Sequence, residues 1–168
     1  MNSDNRIVPP LQPSSDFVKS LTNDVLGVFS TMVGLHDLLP LPLEMGFLTH
    51  FRSNITSMVG LAGSCSGLIC LHAPLELAKD FASGMLRREL ALDYDECIIY
   101  DAMGELANVI AGAVKNYLSI TGTDIRLSLP SIFTGNKYTI STGSNETENL
   151  TLGFATTENC FLVCATFN

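Results

Sequence analysis

Residues 95–119 read DECIIYDAMGELANVIAGAVKNYLS and form the longest helical pattern in the chain. With 100° per residue counted from Asp101, Met103, Leu106, Ile110, Ala113, Val114 and Tyr117 fall on one side. Asp101, Glu105, Asn108 and Gly112 fall on the other, and Ala102, Gly104, Ala107 and Ala111 line the borders of that polar stripe. An ordinary amphipathic helix shows long charged side chains to water. This one shows a carboxylate and an amide on a low ridge that another surface could approach closely. Its apolar side demands a broad partner layer, and the rest of the chain has to supply it.

Downstream of Gly122 the hydrophobic period drops from helical to alternating. Ile125–Leu129, Lys137–Ser141, Leu150–Ala155 and Cys160–Phe167 read as strands, separated by the turn-forming clusters TGN, TGSNETEN and TTEN. Upstream, the spacing predicts a helix over Asp16–Val33, with Ser14 or Ser15 as its cap and Gly34 as its stop. Pro40 and Pro42 forbid a helix interior in residues 36–54, which read as extended. Ile55–Ala62 and Leu68–Ala73 are strand candidates joined by the turn GSCSG. Pro74 then opens a helix to about Leu86. A charged connector, RRELALDYD, leads back to the long helix, for which Asp93 or Asp95 can serve as cap. Short turns between strands imply antiparallel pairing. The expected class is α+β, an antiparallel sheet packed by long helices. Residues 1–14, with Pro9, Pro10 and Pro13, read as a flexible lead-in to a single domain over 15–168.

The totals narrow the function classes. At 46% hydrophobic residues the chain can bury a sizeable core. A net charge of −8 argues against nucleic acid and anionic membrane as partners, since both call for a basic footprint. No apolar run reads as a spanning helix, and the N-terminus lacks the form of a signal peptide, so a cytoplasmic protein is expected. Five cysteines, an odd number mostly in apolar strand-like runs, fit reduced buried thiols. No C-x-x-C pair occurs, and no metal site of the chain's own is expected. Cys65 in GSCSG would suit a nucleophile elbow only if a helix followed, and a strand is expected there. His36, His50 and His72 lack companion motifs and are read as surface or loop-edge residues.

The spacing of Asp101, Glu105, Asn108 and Gly112 recurs at Asp16, Ser20, Asn23 and Gly27. The hairpin MVGLAGSCSGLICL likewise resembles TLGFATTENCFLVCA. A helix-plus-hairpin unit is therefore read as duplicated, with Ser20 standing where the second copy has Glu105.

The longer pattern DAMGELANVIAGAVKNYL resembles the signature helix of the CheC/CheX/FliY chemotaxis phosphatases, as do the order of elements and the duplication. The resemblance covers roughly Asp16 to Asn168. It implies hydrolysis of the aspartyl phosphate of a CheY-like response regulator, with the acidic-x-x-Asn pair mapping onto Glu105 and Asn108. A neutral amide such as Asn108 can accept one hydrogen bond from a water and donate another, fixing it for attack. Glu105 can pair with a lysine of the partner and set the docking register. Asp101, Gly104, Ala107, Ala111 and Gly112 would form the contact surface. One intact helix, with a degenerate copy at Ser20 and Asn23, makes the chain CheX-like. The resemblance also implies a homodimer, and Mg²⁺ supplied by the partner rather than by this chain. Two other readings stay open: a non-catalytic scaffold of the same fold, as in FliM, and a dimer whose stripe is only solvated surface.

Overall fold

The computed structural model describes residues 14–42, 55–90, 95–120, 122–135 and 148–168. The expected lead-in, the expected strand Lys137–Ser141 and His50 lie outside the described residues, apart from Ser14.

Helix α1 spans Ser15–Val28 and widens into a π-helical turn, Phe29–Val33. Ser14 starts it: its hydroxyl accepts a hydrogen bond from the Phe17 N–H at 3.1 Å, satisfying one of the orphan donors of the first turn. Gly34 ends it at φ +82°, a left-handed conformation that side chains other than glycine resist. The edge strand β1 is short, Leu39–Leu41, and carries Pro40 where a lost donor costs little. The hairpin β2 (Ile55–Gly63) and β3 (Gly67–Ala73) follows, then α2 (Leu75–Leu86) and α3 (Glu96–Ile120). Asp95 starts α3, its Oδ1 accepting from the Cys97 N–H at 2.9 Å. The chain closes with β4 (Ile125–Leu127), β5 (Ser131–Thr134) and the hairpin β6 (Glu148–Ala155) and β7 (Cys160–Phe167).

Among the described residues all strand pairings are antiparallel, and the sheet runs β1-β6-β7-β3-β2-β4, with β5 also paired to β2. The order reads the same from both ends once the two halves are superposed. The hairpins β2–β3 and β6–β7 meet at the centre, and β1 and β4, the first strand of each half, pair with the other half's hairpin. The duplication seen in the sequence is thus built into the sheet as an interlock.

Alternation along the strands sends Ile55, Val59, Ile69, Leu71, Phe161 and Val163 to one face, where all are buried. The three helices cover that face. Phe29 from the end of α1 lies 4.8 Å from Phe81 of α2 and 4.5 Å from Phe161 of β7, ring centre to ring centre. Phe17 of α1 lies 4.9 Å from Tyr117 of α3 and 5.8 Å from Phe167 of β7. The opposite sheet face carries Thr56, Cys70, His72 and Cys164. His72 is not a loop-edge residue as expected: it sits within β3, half-buried, with Nδ1 2.8 Å from the Thr56 hydroxyl. Burial pushes its pKa down to about 4.

Helix α3 is long and apolar enough to cross a membrane by length and composition, contrary to the reading that no run was. Its apolar side is used here for the core: Ile99, Met103, Leu106 and Ile110 are fully buried.

Candidate active site

α3 lies against the sheet and is also packed by α1 and α2. Among the described residues, two flanking helices and a floor of strands leave a narrow strip of it uncovered. Asp101 and Glu105 are exposed on that strip, and Asn108 and Gly112 are half-buried. Among the described residues neither Glu105 nor Asn108 has a hydrogen-bond or ion-pair partner. Asp101 and Glu105 are like charges four residues apart, an arrangement that disfavours an isolated helix slightly. The strip is therefore an acidic edge with an unengaged amide one turn further on.

Part of the expected contact surface does not face outward. Gly104, Ala107 and Ala111 are buried, the two alanines completely. A Cβ added at Gly104 would lie 3.5 Å from Pro130 and 4.0 Å from Ile132, so its smallness admits the segment leading into β5. All three are thus packed within this chain rather than presented to solvent. Gly112 differs: a Cβ there would meet nothing within 4 Å.

The degenerate copy on α1 is laid out in the same way. Asp16, Asn23 and Gly27 are exposed and Ser20 is half-buried. Gly27, like Gly112, has open space where a Cβ would stand. No carboxylate occupies the place of Glu105 in this copy.

Other candidates do not assemble. Cys65 is followed by β3, a strand, so the helix required of a nucleophile elbow is missing. Among the described residues no group of three or more His, Cys, Asp and Glu is placed to hold a metal ion. Beside the strip, however, lies a feature the sequence did not announce. A groove of about 670 Å³ runs between α2, α3 and the start of β5, with Asp101 and Glu105 on its wall. Its residues come from three separate elements and the segments between them, so no local motif marks it.

The model of the family described as "Chemotaxis phosphatase CheX" matches residues 55–153, more than half of the chain and including all of α3. The chain belongs to the CheX family. No curated protein matches it. Solved structures share its fold. A CheX chemotaxis protein from Vibrio vulnificus is similar at TM-score 0.75 and 21% identity, over 92% of this chain and 97% of that one. A chain of the CheX–CheY–BeF₃–Mg²⁺ complex from Borrelia burgdorferi is similar at TM-score 0.70 and 21% identity, over 91% and 98%. The FliM middle domain from H. pylori is similar at TM-score 0.56 and 12% identity, over 89% and 85%. The α+β class and the helix-plus-hairpin plan expected from the sequence are those of this CheX-family fold.

Proposed function

We propose that this CheX-family chain accelerates hydrolysis of the aspartyl phosphate on a CheY-like response regulator, with α3 as the inserted edge. The observation that carries the reading is the pairing of Glu105 and Asn108 on the single uncovered strip of α3, both without partners of their own among the described residues. Asn108 holds a water by accepting a hydrogen bond from it at Oδ1 and donating one to its oxygen from Nδ2. That water attacks phosphorus in line. The bond from phosphorus to the aspartyl oxygen breaks, inorganic phosphate leaves, and the partner's carboxylate is regenerated with loss of a proton to solvent. Glu105, an anion on an acidic edge, meets a cation of the regulator and sets the depth of docking. Mg²⁺ belongs to the regulator and offsets charge on the phosphoryl group. The Borrelia burgdorferi complex, which joins CheX, CheY, BeF₃ and Mg²⁺, supports both the partner and the source of the metal. A cytoplasmic location and a homodimer belong to the same reading.

The likeness to the FliM middle domain favours a second reading, a scaffold that binds the regulator without turning it over. One experiment separates them. A CheY-like regulator phosphorylated with acetyl phosphate is mixed with wild-type chain or with Asn108→Ala, and phosphate release is followed. The phosphatase reading expects acceleration by wild type and a loss on the order of 10²–10³ in maximal rate for the mutant, the scale of losing one positioned group. Equal decay rates with and without the protein would rule out the phosphatase reading.

A further inference from the structure

The groove beside the acidic strip has its own chemistry. Met85 and Leu86 come from α2, Ile98 and Ala102 from α3, Ile132 from β5 and Pro130 from the residue before it. These make an apolar trough. Leu86 is 44% exposed at its lip, one of the few large apolar side chains left in water among the described residues. Asp101 and Glu105 stand on one wall and Arg88 also borders the groove. At about 670 Å³ it has room for a short piece of chain rather than one small group.

We propose that this groove is the second half of the docking site, taking a short segment of the response regulator whose apolar side chain lies next to the cation met by Glu105. The inference rests on the phosphatase reading and deepens it. Two observations select this occupant. The groove is continuous with the proposed catalytic strip, because Asp101 and Glu105 border both; a partner seated on the strip at these two residues lies beside the groove mouth. The charge also points away from a second copy. In a chain of net charge −8, an isologous contact here would gather the Asp101 and Glu105 carboxylates of both copies around one trough, with only the two Arg88 guanidiniums to offset them. An apolar side chain flanked by a basic one satisfies trough and wall together. It also explains why α2, which carries none of the proposed catalytic residues, ends on an exposed leucine rather than a polar residue.

The test uses the full chain and a CheY-like regulator, phosphorylated with acetyl phosphate, whose dephosphorylation the wild type accelerates. Leu86→Glu places a charge at the lip, and Leu86→Met keeps the lip apolar. Circular dichroism melts confirm that both fold. The groove proposal expects Leu86→Glu to raise the half-saturating regulator concentration about tenfold or more, as loss of an anchoring contact does. Its maximal rate should stay within twofold of wild type, and Leu86→Met should behave as wild type. Asn108→Ala should do the reverse, losing maximal rate. A wild-type half-saturation for Leu86→Glu alongside an inactive Asn108→Ala overturns the groove and leaves the phosphatase reading standing. If Asn108→Ala were fully active, the catalytic reading would fall. Titration with beryllofluoride-loaded regulator would then still read the groove, by a weakened Kd for Leu86→Glu or an unchanged one. A change in the chain's own sedimentation with Leu86→Glu, at unaltered half-saturation, would assign the groove to a second copy and end the proposal.

Discussion

Cys70 of β3 lies directly opposite Cys164 of β7, and the two occupy equivalent places in the two hairpins. No other pair in that ladder is self-equivalent in this way, so the pseudo-twofold relation between the halves passes between these thiols. Burial, with a smaller contribution from the neighbouring Cys164, pushes Cys70 up to about 12. Cys164 is also raised by burial, partly offset by the Thr151 hydroxyl 3.6 Å away.

Thiol reactivity follows from that arrangement, because the thiolate is the nucleophile. In native protein at neutral pH, Cys70 and Cys164 should resist iodoacetamide, while the exposed Cys97 is alkylated first. In strong denaturant all five should react alike. Peptide mass spectrometry after timed quenching reads the order, and labelling of Cys70 as fast as Cys97 would contradict it.

His72 sets a pH dependence whose sign is definite. Its folded pKa, about 4, lies below the ordinary value near 6.5. Between those values the unfolded chain binds a proton that the folded chain refuses, so stability falls as pH drops through the window and is unaffected above it. The loss is on the order of 2–3 kcal/mol by pH 4. Urea midpoints measured from pH 7 to pH 4 should fall less steeply for His72→Gln than for wild type. Parallel curves would show that the ring is protonated without cost.

Glu105 is expected to act in docking. Glu105→Ala should raise the half-saturating concentration of phosphorylated regulator about tenfold, within the range for one charged pair at an interface. The wild-type protein should lose affinity as salt is raised, and the mutant should lose less, because exposed charges are screened. An effect of Glu105→Ala confined to the saturated rate would move the glutamate from docking to chemistry. Asn23→Ala on α1, where Ser20 replaces the carboxylate, should leave both quantities near wild type.

Gly112 is a glycine in a helix interior with nothing packed against it. Such a residue costs up to about 1 kcal/mol relative to alanine. Gly112→Ala should therefore stabilise the free protein while weakening regulator binding, because the added methyl stands on the strip beside Asn108. Gly27→Ala on α1 should stabilise comparably and leave binding unchanged. Thermal melts and regulator titrations on the two mutants make the comparison; equal binding for both would mean that no partner approaches the Gly112 backbone.

Much of the fold was legible because its long elements carry strong periodic signals. α2 and β7 begin and end where the sequence placed them, and Ser14, Gly34 and Asp95 act as the caps and stop expected. β1 and β5 were not foreseen as strands. Each has only three or four residues, too few for alternation to show, and each is beside or contains a proline, Pro130 or Pro40. The polar strip of α3 was legible from its 3.6-residue period, but its width was not. A helical wheel gives the direction of a side chain, not whether a neighbour stands over it. Gly104, Ala107 and Ala111 are covered for that reason, and the groove beside Glu105 is invisible for the converse one.

The interlocked strand order has a kinetic side. β7, the latest strand in chain order, sits between β6 and β3, near the middle of the sheet rather than at its edge. Until it arrives, β3 keeps one edge open, and β1 must wait for β6, more than a hundred residues later, for its partner among the described strands. Contacts of such long range are slow to form, and open edges are where chains pair wrongly. The same plan that doubles a small unit into a finished sheet thus postpones its closure, and it makes the half-made chain the vulnerable species.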